Sequence, residues 1–464
     1  MPATVDLLSV SRGAVVAPAG CGKTHSIVDA VSRNDGKPVL VLTHTNAGVC
    51  AVRTRLSRAR VAAARYRVAT LDGWALQVVL AYPELAGLRP DLSSMSYPAL
   101  RDAAVRALES GALDAILRAT YGRVIVDEYQ DCSGPQHRLV LELARRLPCV
   151  VLGDPLQNVF DFGGPLPDWD GEVLAEFPLV AELDRPHRWL NAGEGIFGQW
   201  ILDIRPDLLA GRGVDLSTAP ANVRWIDTSV PGSQIRAEFQ AMAVLGLAGH
   251  QHSLVVGDAR NRGSRAEFAR RHAGVHVVEP VDMPDLLPAV GLMSAASGTD
   301  RVTQALVFAS SVMTGIDQPF ATRMEEIARG AVRASTEVEL ACVAALQDPS
   351  FVKIGRMLDR LSSDPSHRVF RPDLLSVMIR GTRRAEENGG DLRGAVVAVR
   401  EARRAEGRAL PVLGVGSTLL LKGLEADHAV VLNAAALNAR HLYVAISRAS
   451  RTLTAMSPTS VVGR

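Results

Sequence analysis

No C-x-x-C pair and no Cys/His cluster occurs in this chain; its five cysteines, Cys21, Cys50, Cys132, Cys149 and Cys342, are scattered along 464 residues. That spacing argues against a zinc site or a disulfide framework and predicts reduced thiols in a cytoplasmic protein. Long apolar runs are missing as well. None approaches the roughly 18 residues of a membrane span, and the N-terminus has no charged segment followed by an apolar one, so the expectation is a chain that is neither membrane-spanning nor exported. An excess of either charge is missing too. Lys and Arg number 51 against 49 Asp and Glu, a net charge of +2, so a nucleic-acid site must be a local groove and not a whole-molecule field. What is present is ordinary for a globular protein of two or three domains, with 47% hydrophobic and 22% charged residues.

Residues 1 to about 190 repeat one unit, a short apolar run, a polar or Gly-rich turn, and a helix-patterned stretch. The runs GAVVAPAG, PVLVLTHTN, RVIVDEYQD and PCVVLGDP are nearly all apolar, as strands of a parallel sheet covered on both faces must be. The pattern predicts a doubly wound α/β domain over 1–190, interrupted by a small insertion at about 80–120. A second α/β half is expected over 191–280 and 409–464, with VRWID, SLVVGDARN, GVGSTLLL and AVVL as its strand signals. Between them, 281–408 reads as a helical, charged insertion, whose charge runs are most simply a solvated helix face.

The strongest chemical signal sits at the end of the first run. Ala17 to Thr24 spell A-x-x-x-x-G-K-T between a strand and a helix, the setting a phosphate-binding loop requires. Its glycines let the backbone N–H groups of Ala19, Gly20, Cys21 and Gly22 approach phosphate oxygens. Lys23 reaches the β and γ oxygens, and the Thr24 hydroxyl holds Mg²⁺. About a hundred residues on, VIVDEYQD ends a second apolar run with Asp127 and Glu128. One carboxylate at such a strand end can hold Mg²⁺ while its neighbour orients or deprotonates an attacking water. Together these residues point to hydrolysis of a nucleoside triphosphate with Mg²⁺.

The ordered series VLTHTNAG, VDEYQD, GDPLQNVF, LDRPHR, KGLEADHAVVL and LYVAISRA resembles the UvrD/PcrA/Rep-type superfamily 1 DNA helicases, in a compact variant similar to the helicase-like subunit of the Gabija antiphage system. The resemblance implies two RecA-like domains with ATP between them. It makes Asp127 the Mg²⁺ ligand, Glu128 the catalytic base and Gln157 the γ-phosphate sensor. Arg188 and Arg448 fall on the family's arginine fingers, and Gly423 and Glu425 on the segment that meets the ribose. Single-stranded DNA contacts carry over to Thr43, His44 and Asn46, to Thr70 and Trp74, and to Phe160 and Phe162, although an aromatic ring at these places serves as readily in a core as in a stacking platform.

Departures from the family pattern are informative. The first Gln of the chain is Gln77, so the upstream glutamine that reads adenine in the family has no counterpart before Ala17, which leaves His187 as the expected stacking contact for the base. Asp72 stands where the family has His. Only Asn433 to Arg440 joins the run AVVL to LYVAISRA, where family helicases carry a long segment with the hairpin that wedges duplexes apart. Two readings remain open on the sequence. One is a single-stranded-DNA-stimulated ATPase or translocase that works in DNA repair or antiphage defence with a partner such as a nuclease. The other is a nucleotide-sensing regulatory ATPase that controls a partner nuclease without translocating.

Overall fold

The computed structural model describes residues 5–90, 95–160, 166–247, 252–387, 389–406 and 411–464. The chain is an α/β protein. Its first sheet contains β1 (Arg12–Val16), β2 (Val39–Thr43), β3 (Tyr66–Thr70), β4 (Arg123–Val126), β5 (Cys149–Gly153) and β6 (Leu179–Glu182), in the order β3-β2-β4-β5-β1-β6. All its pairings are parallel.

Continuous apolar runs form these strands because both faces are covered. Leu40 and Leu42 of β2, Ala14 and Val16 of β1, Val124 and Val126 of β4, and Val151 of β5 enter one apolar layer. The alternate residues Val39 and Val41, Val15, Ile125, and Val150 and Leu152 enter the other, the period of two that a pleated strand imposes. The expected insertion packs into the first of these layers. Leu100, Ala103, Ala104 and Leu108 of the helix Tyr97–Glu109 lie in the core that holds Leu40 and Trp74.

Later strands are β7 (Val214–Asp215), β8 (Val223–Asp227), β9 (Ser253–Val256), β10 (His276–Val277), β11 (Leu413–Gly416), β12 (Ala426–Val431), β13 (Ala449–Ser457) and β14 (Val461–Val462). A second six-stranded sheet has the order β10-β11-β9-β12-β13-β8, in which β9 pairs in parallel with β11 and β12, and β10 pairs in parallel with β11. β7 and β14 form a separate antiparallel pair.

The chain divides into two compact units. Unit 1 comprises Met1–Trp225, Ala434–Thr452 and Pro458–Arg464, and unit 2 comprises Ile226–Asn433 and Leu453–Ser457. Of the residues read from the sequence as the second half, 191–280 and 409–464, the segments 191–225, 434–452 and 458–464 cluster with unit 1. The helices Arg205–Leu209 and Ala439–Ile446 belong to unit 1 because their side chains complete its interior, as described below for Arg205 and Tyr443.

Within unit 2, residues 286–406 carry helices around one apolar core that includes Leu286, Val302, Phe308, Ile354, Leu358, Leu374, Met378 and Val396. The charged run at the end of the helix Pro372–Glu387 keeps Arg383, Arg384, Glu386 and Glu387 exposed around buried Ala385, a solvated face. Among the described residues no helix is long and apolar enough to cross a membrane.

Candidate functional site

The register of the first sheet builds the site. Val16 of β1 lies beside Gly153 of β5, Val151 of β5 beside Val126 of β4, and Val126 beside Leu42 of β2. The residues that follow these strand ends, Ala17, Asp154, Asp127 and His44, therefore share one rim, the carboxyl edge where open α/β sheets bind ligands.

From this rim Ala17–Gly22 turns into the helix Lys23–Arg33. Two left-handed residues make the turn, Gly20 (φ 72) and Gly22 (φ 91), a conformation that L side chains resist. A Cβ on Gly20 would stand 2.6 Å from the Trp189 ring and one on Gly22 would stand 3.2 Å from His187. The loop is thus a glycine-lined cradle backed by the segment His187–Trp189. Cys21 in its wall is buried, and burial pushes its thiol up to about 12, so it is a neutral wall residue and no nucleophile.

Lys23 projects its ammonium to Glu128 Oε1 at 2.6 Å and to Asp127 Oδ1 at 3.6 Å. Burial alone would lower the Lys23 pKa, but Glu128 and Asp127 hold it above its ordinary value, so it carries a full charge. Burial pushes Asp127 up to about 6, against the pull of Lys23. Glu128 sits at φ 55, ψ 42, a left-handed conformation for a side chain that gains nothing locally from it. Strain of this kind persists where surrounding structure enforces it, characteristically at functional sites. Here Gln130 Nε2 donates to Glu128 Oε2 at 2.6 Å while Glu128 N donates to Asp127 Oδ1 at 3.0 Å.

Gln157 follows β5 and is buried, its Nε2 donating to Asp154 Oδ2 at 2.9 Å. Arg188 joins the cradle through its backbone, whose N–H donates to Gly20 O at 3.1 Å, and its guanidinium Nη1 donates to the carbonyl of Ser447. Arg448 lies beside that carbonyl. It is buried, with Nε donating to Val444 O at 2.8 Å and Nη2 to Ser447 Oγ at 2.9 Å. The segments carrying the two expected finger arginines therefore meet at Ser447. His187 is held below its ordinary pKa by burial, then by Arg185 and His25, and is a neutral ring at pH 7. Gly423 and Glu425 are exposed and lie in unit 2, between the helix Thr418–Leu421 and β12.

The cradle fits a polyphosphate and the rim fits a divalent cation on the observed donors. The glycines and a charged Lys23 suit phosphate oxygens, while of the expected loop donors Ala19 N already donates to the Tyr443 hydroxyl and Cys21 N to Pro18 O, each at 3.1 Å. The Thr24 hydroxyl and the Asp127 carboxylate are hard oxygen ligands of the type Mg²⁺ takes.

The expected DNA contacts divide. His44 and Phe160 come together, their ring centroids 5.3 Å apart, both half-buried, and Asn46 is exposed. Thr43 is fully buried at the end of a strand covered on both faces, and offers no surface to a DNA strand from there. Trp74 is a core residue, 3% exposed, packed with Leu71 and Ala75, which removes it as a stacking platform. Thr70 caps the helix Leu71–Ala81, its hydroxyl accepting from Gly73 N at 2.9 Å. Asp72 anchors the insertion by taking both Nε and Nη2 of Arg101 at 2.7 Å. Phe162 lies outside the described residues.

Sequence reasoning did not single out Trp189, Arg205, Asp154 or Tyr443. Trp189 has the largest fully buried side chain of those described, with Nε1 donating to Ala449 O at 2.9 Å. The D of GDPLQ and the Y of LYVAISRA were in view as letters of quoted motifs, but nothing in their spacing assigned them a partner.

Residues 96–168 match the UvrD/REP helicase N-terminal domain family. The match takes in β4, Glu128 and Gln157 and leaves the phosphate-loop stretch Ala17–Thr24 and the second sheet outside it. Against the curated proteins the chain finds no match. Among solved structures it is similar to Arterivirus nonstructural protein 10 (helicase), solved in complex with DNA, at 10% identity and a TM-score of 0.36. That alignment covers 98% of this chain and 62% of the viral one, so the chain spans less than two thirds of the length of that helicase.

Proposed function

We propose that this chain is a helicase-like motor, an Mg²⁺-dependent ATPase stimulated by single-stranded DNA, that translocates along the strand and separates duplexes poorly by itself. The observation that carries the reading is the convergence on one sheet rim of Lys23, Asp127, Glu128 and Gln157 around a glycine cradle backed by Arg188. In this reading Lys23 and the loop N–H groups bind the phosphates, Thr24 and Asp127 hold Mg²⁺, and the bound metal neutralises phosphate charge. Glu128 takes the proton of the attacking water as the bond from the γ-phosphorus to the bridging oxygen breaks and ADP leaves with the electron pair. Gln157 orients that water, and Arg188 and Arg448 stabilise the charge that spreads over the transferring group. His44 and Phe160 are the platform for unstacked bases.

Only residues 432–438 connect β12 to the helix Ala439–Ile446, and Ala434–Ala436 of these form a single tight turn. At about 3.3 Å per strand residue this leaves no protruding hairpin. A motor of this build suits work beside a partner, such as a nuclease in DNA repair or antiphage defence.

The test is steady-state ATP hydrolysis with and without a single-stranded oligonucleotide. Stimulation is expected, and it should fall as salt rises, because phosphate contacts dominate strand binding. Little separation of a tailed 20-base-pair duplex is expected from the chain alone. Hydrolysis indifferent to DNA would favour a nucleotide-sensing regulator over a translocase.

A second outcome follows from Asp127. Its folded pKa near 6 lies above the ordinary 3.8, so below about pH 6 the carboxyl keeps a proton that a metal ligand must lose. Affinity for Mg²⁺-nucleotide should rise about fivefold from pH 5 to 6 and only about twofold more above. A flat profile measured over pH 5 to 7.5 would remove Asp127 as the ligand.

A further inference from the structure

A chain of buried polar contacts runs from the phosphate loop to Gln157 through residues far apart in sequence. The hydroxyl of Tyr443 accepts from Ala19 N at 3.1 Å. Over the Tyr443 ring lies the guanidinium of Arg205, 5.0 Å from the centroid. Arg205 Nη1 donates to Asp154 Oδ2 at 3.0 Å, and the same carboxylate accepts from Gln157 Nε2 at 2.9 Å and from Leu156 N at 3.2 Å. Asp154 and Tyr443 are fully buried and Arg205 is 4% exposed.

We propose that Asp154, Arg205 and Tyr443 are positioning residues for triphosphate hydrolysis, setting which end of the Gln157 amide faces the reacting water and tying that setting to the phosphate loop. The inference rests on the ATPase reading above. An ionised carboxylate only accepts hydrogen bonds, so it takes the NH₂ end of the amide and repels the carbonyl end. The flipped amide, which would offer NH₂ where a water-orienting acceptor is needed, is thereby disfavoured. Arg205 supplies the positive partner that the buried Asp154 side chain faces, at 3.0 Å. Its stacking on Tyr443 fixes the plane of the guanidinium, and the Tyr443 hydroxyl engages an N–H of the loop that would cradle phosphate. None of the three needs to touch nucleotide for this to work.

Removing one member of a buried ion pair strands the other and threatens the fold. The test therefore uses Asp154→Asn, the doubly neutral Asp154→Asn with Arg205→Met, and Tyr443→Phe, each compared with the unaltered chain for kcat and for the Kd of a fluorescent ATP analogue. Asp154→Asn and the double variant are expected to lower kcat about a hundredfold, the scale of a misplaced reacting group, with Kd changed less than about threefold. Tyr443→Phe should act in the same direction and more weakly. The deciding measurement repeats Asp154→Asn in a Gln157→Ala background, where it should lower kcat no further, because residues acting as one unit are not additive. A full additional loss there, an unchanged kcat, or an effect confined to Kd would each overturn the positioning role while leaving the ATPase reading intact. Absence of hydrolysis by the unaltered chain would overturn both.

Discussion

Glu128→Gln is expected to lower ATP turnover by about 10²–10⁴-fold, the range for loss of a general base, while nucleotide remains bound. One contact separates the step from the binding. Oε1 of Glu128 holds the Lys23 ammonium at 2.6 Å, so in the free chain the cation proposed to bind phosphate is occupied by the group proposed to serve the water. Glutamine keeps the shape, and its amide can still face Gln130, but it surrenders the charge. Phosphates then compete with a weaker partner for Lys23, and affinity should stay level or rise. Glu128→Gly supplies a control on the backbone. At φ 55 glycine relieves strain on the order of 1–3 kcal/mol, so this variant should lose turnover without losing thermal stability relative to Glu128→Gln. Wild-type turnover by Glu128→Gln would place the base elsewhere.

The second large effect is structural. Trp189→Ala should cost about 3–5 kcal/mol of unfolding free energy, the usual range for emptying a buried aromatic site. It should also weaken nucleotide binding. The ring is fully buried against Phe197, with centroids 6.1 Å apart. Its edge fills the space that Gly20 leaves by having no side chain, and its indole N–H is the partner of Ala449 O. Trp189→Phe should recover much of the packing and leave that carbonyl unpaired, so its loss should be smaller. Urea unfolding with and without nucleotide reads both effects. A Trp189→Ala chain with an unshifted midpoint would mean that the cradle does not depend on its backing.

Much of the first sheet could be read from residue pattern alone, since a strand covered on both faces leaves an unbroken apolar run and the loop after β1 has few alternatives to a phosphate cradle. Two of the misplaced DNA contacts were legible by the same rules. Thr43 ends the run VLVLT, every residue of which is buried, so the unbroken apolar run already placed it in the core. Trp74 falls on the helical stripe Leu71, Trp74, Ala75, Val78, all buried, so its periodicity marked it as core before its place in a motif suggested otherwise. The polar chain from Ala19 to Gln157 was not legible. It depends on side chains such as Arg205 and Tyr443, more than two hundred residues apart, meeting inside one unit, and no local period encodes such a meeting. The strand signals VRWID, SLVV, GVGS and AVVL fall in one second sheet, whereas the boundaries of the compact units pass through β8 and β13, where the residue pattern carries no mark.

That division has a consequence for how the protein can be taken apart. The polypeptide passes from one unit to the other after Trp225, Asn433, Thr452 and Ser457, and its final strand, β14, pairs with β7 near residue 214. Unit 1 is therefore assembled from three separate lengths of chain, and no contiguous gene fragment encodes it. A premature stop after residue 433 removes Tyr443, Arg448 and β14, and so damages the unit whose glycine cradle, Ala17–Gly22, is encoded at the opposite end of the message. Severing the chain once, at any of the four passages, still leaves each unit with a covalent tether to the other.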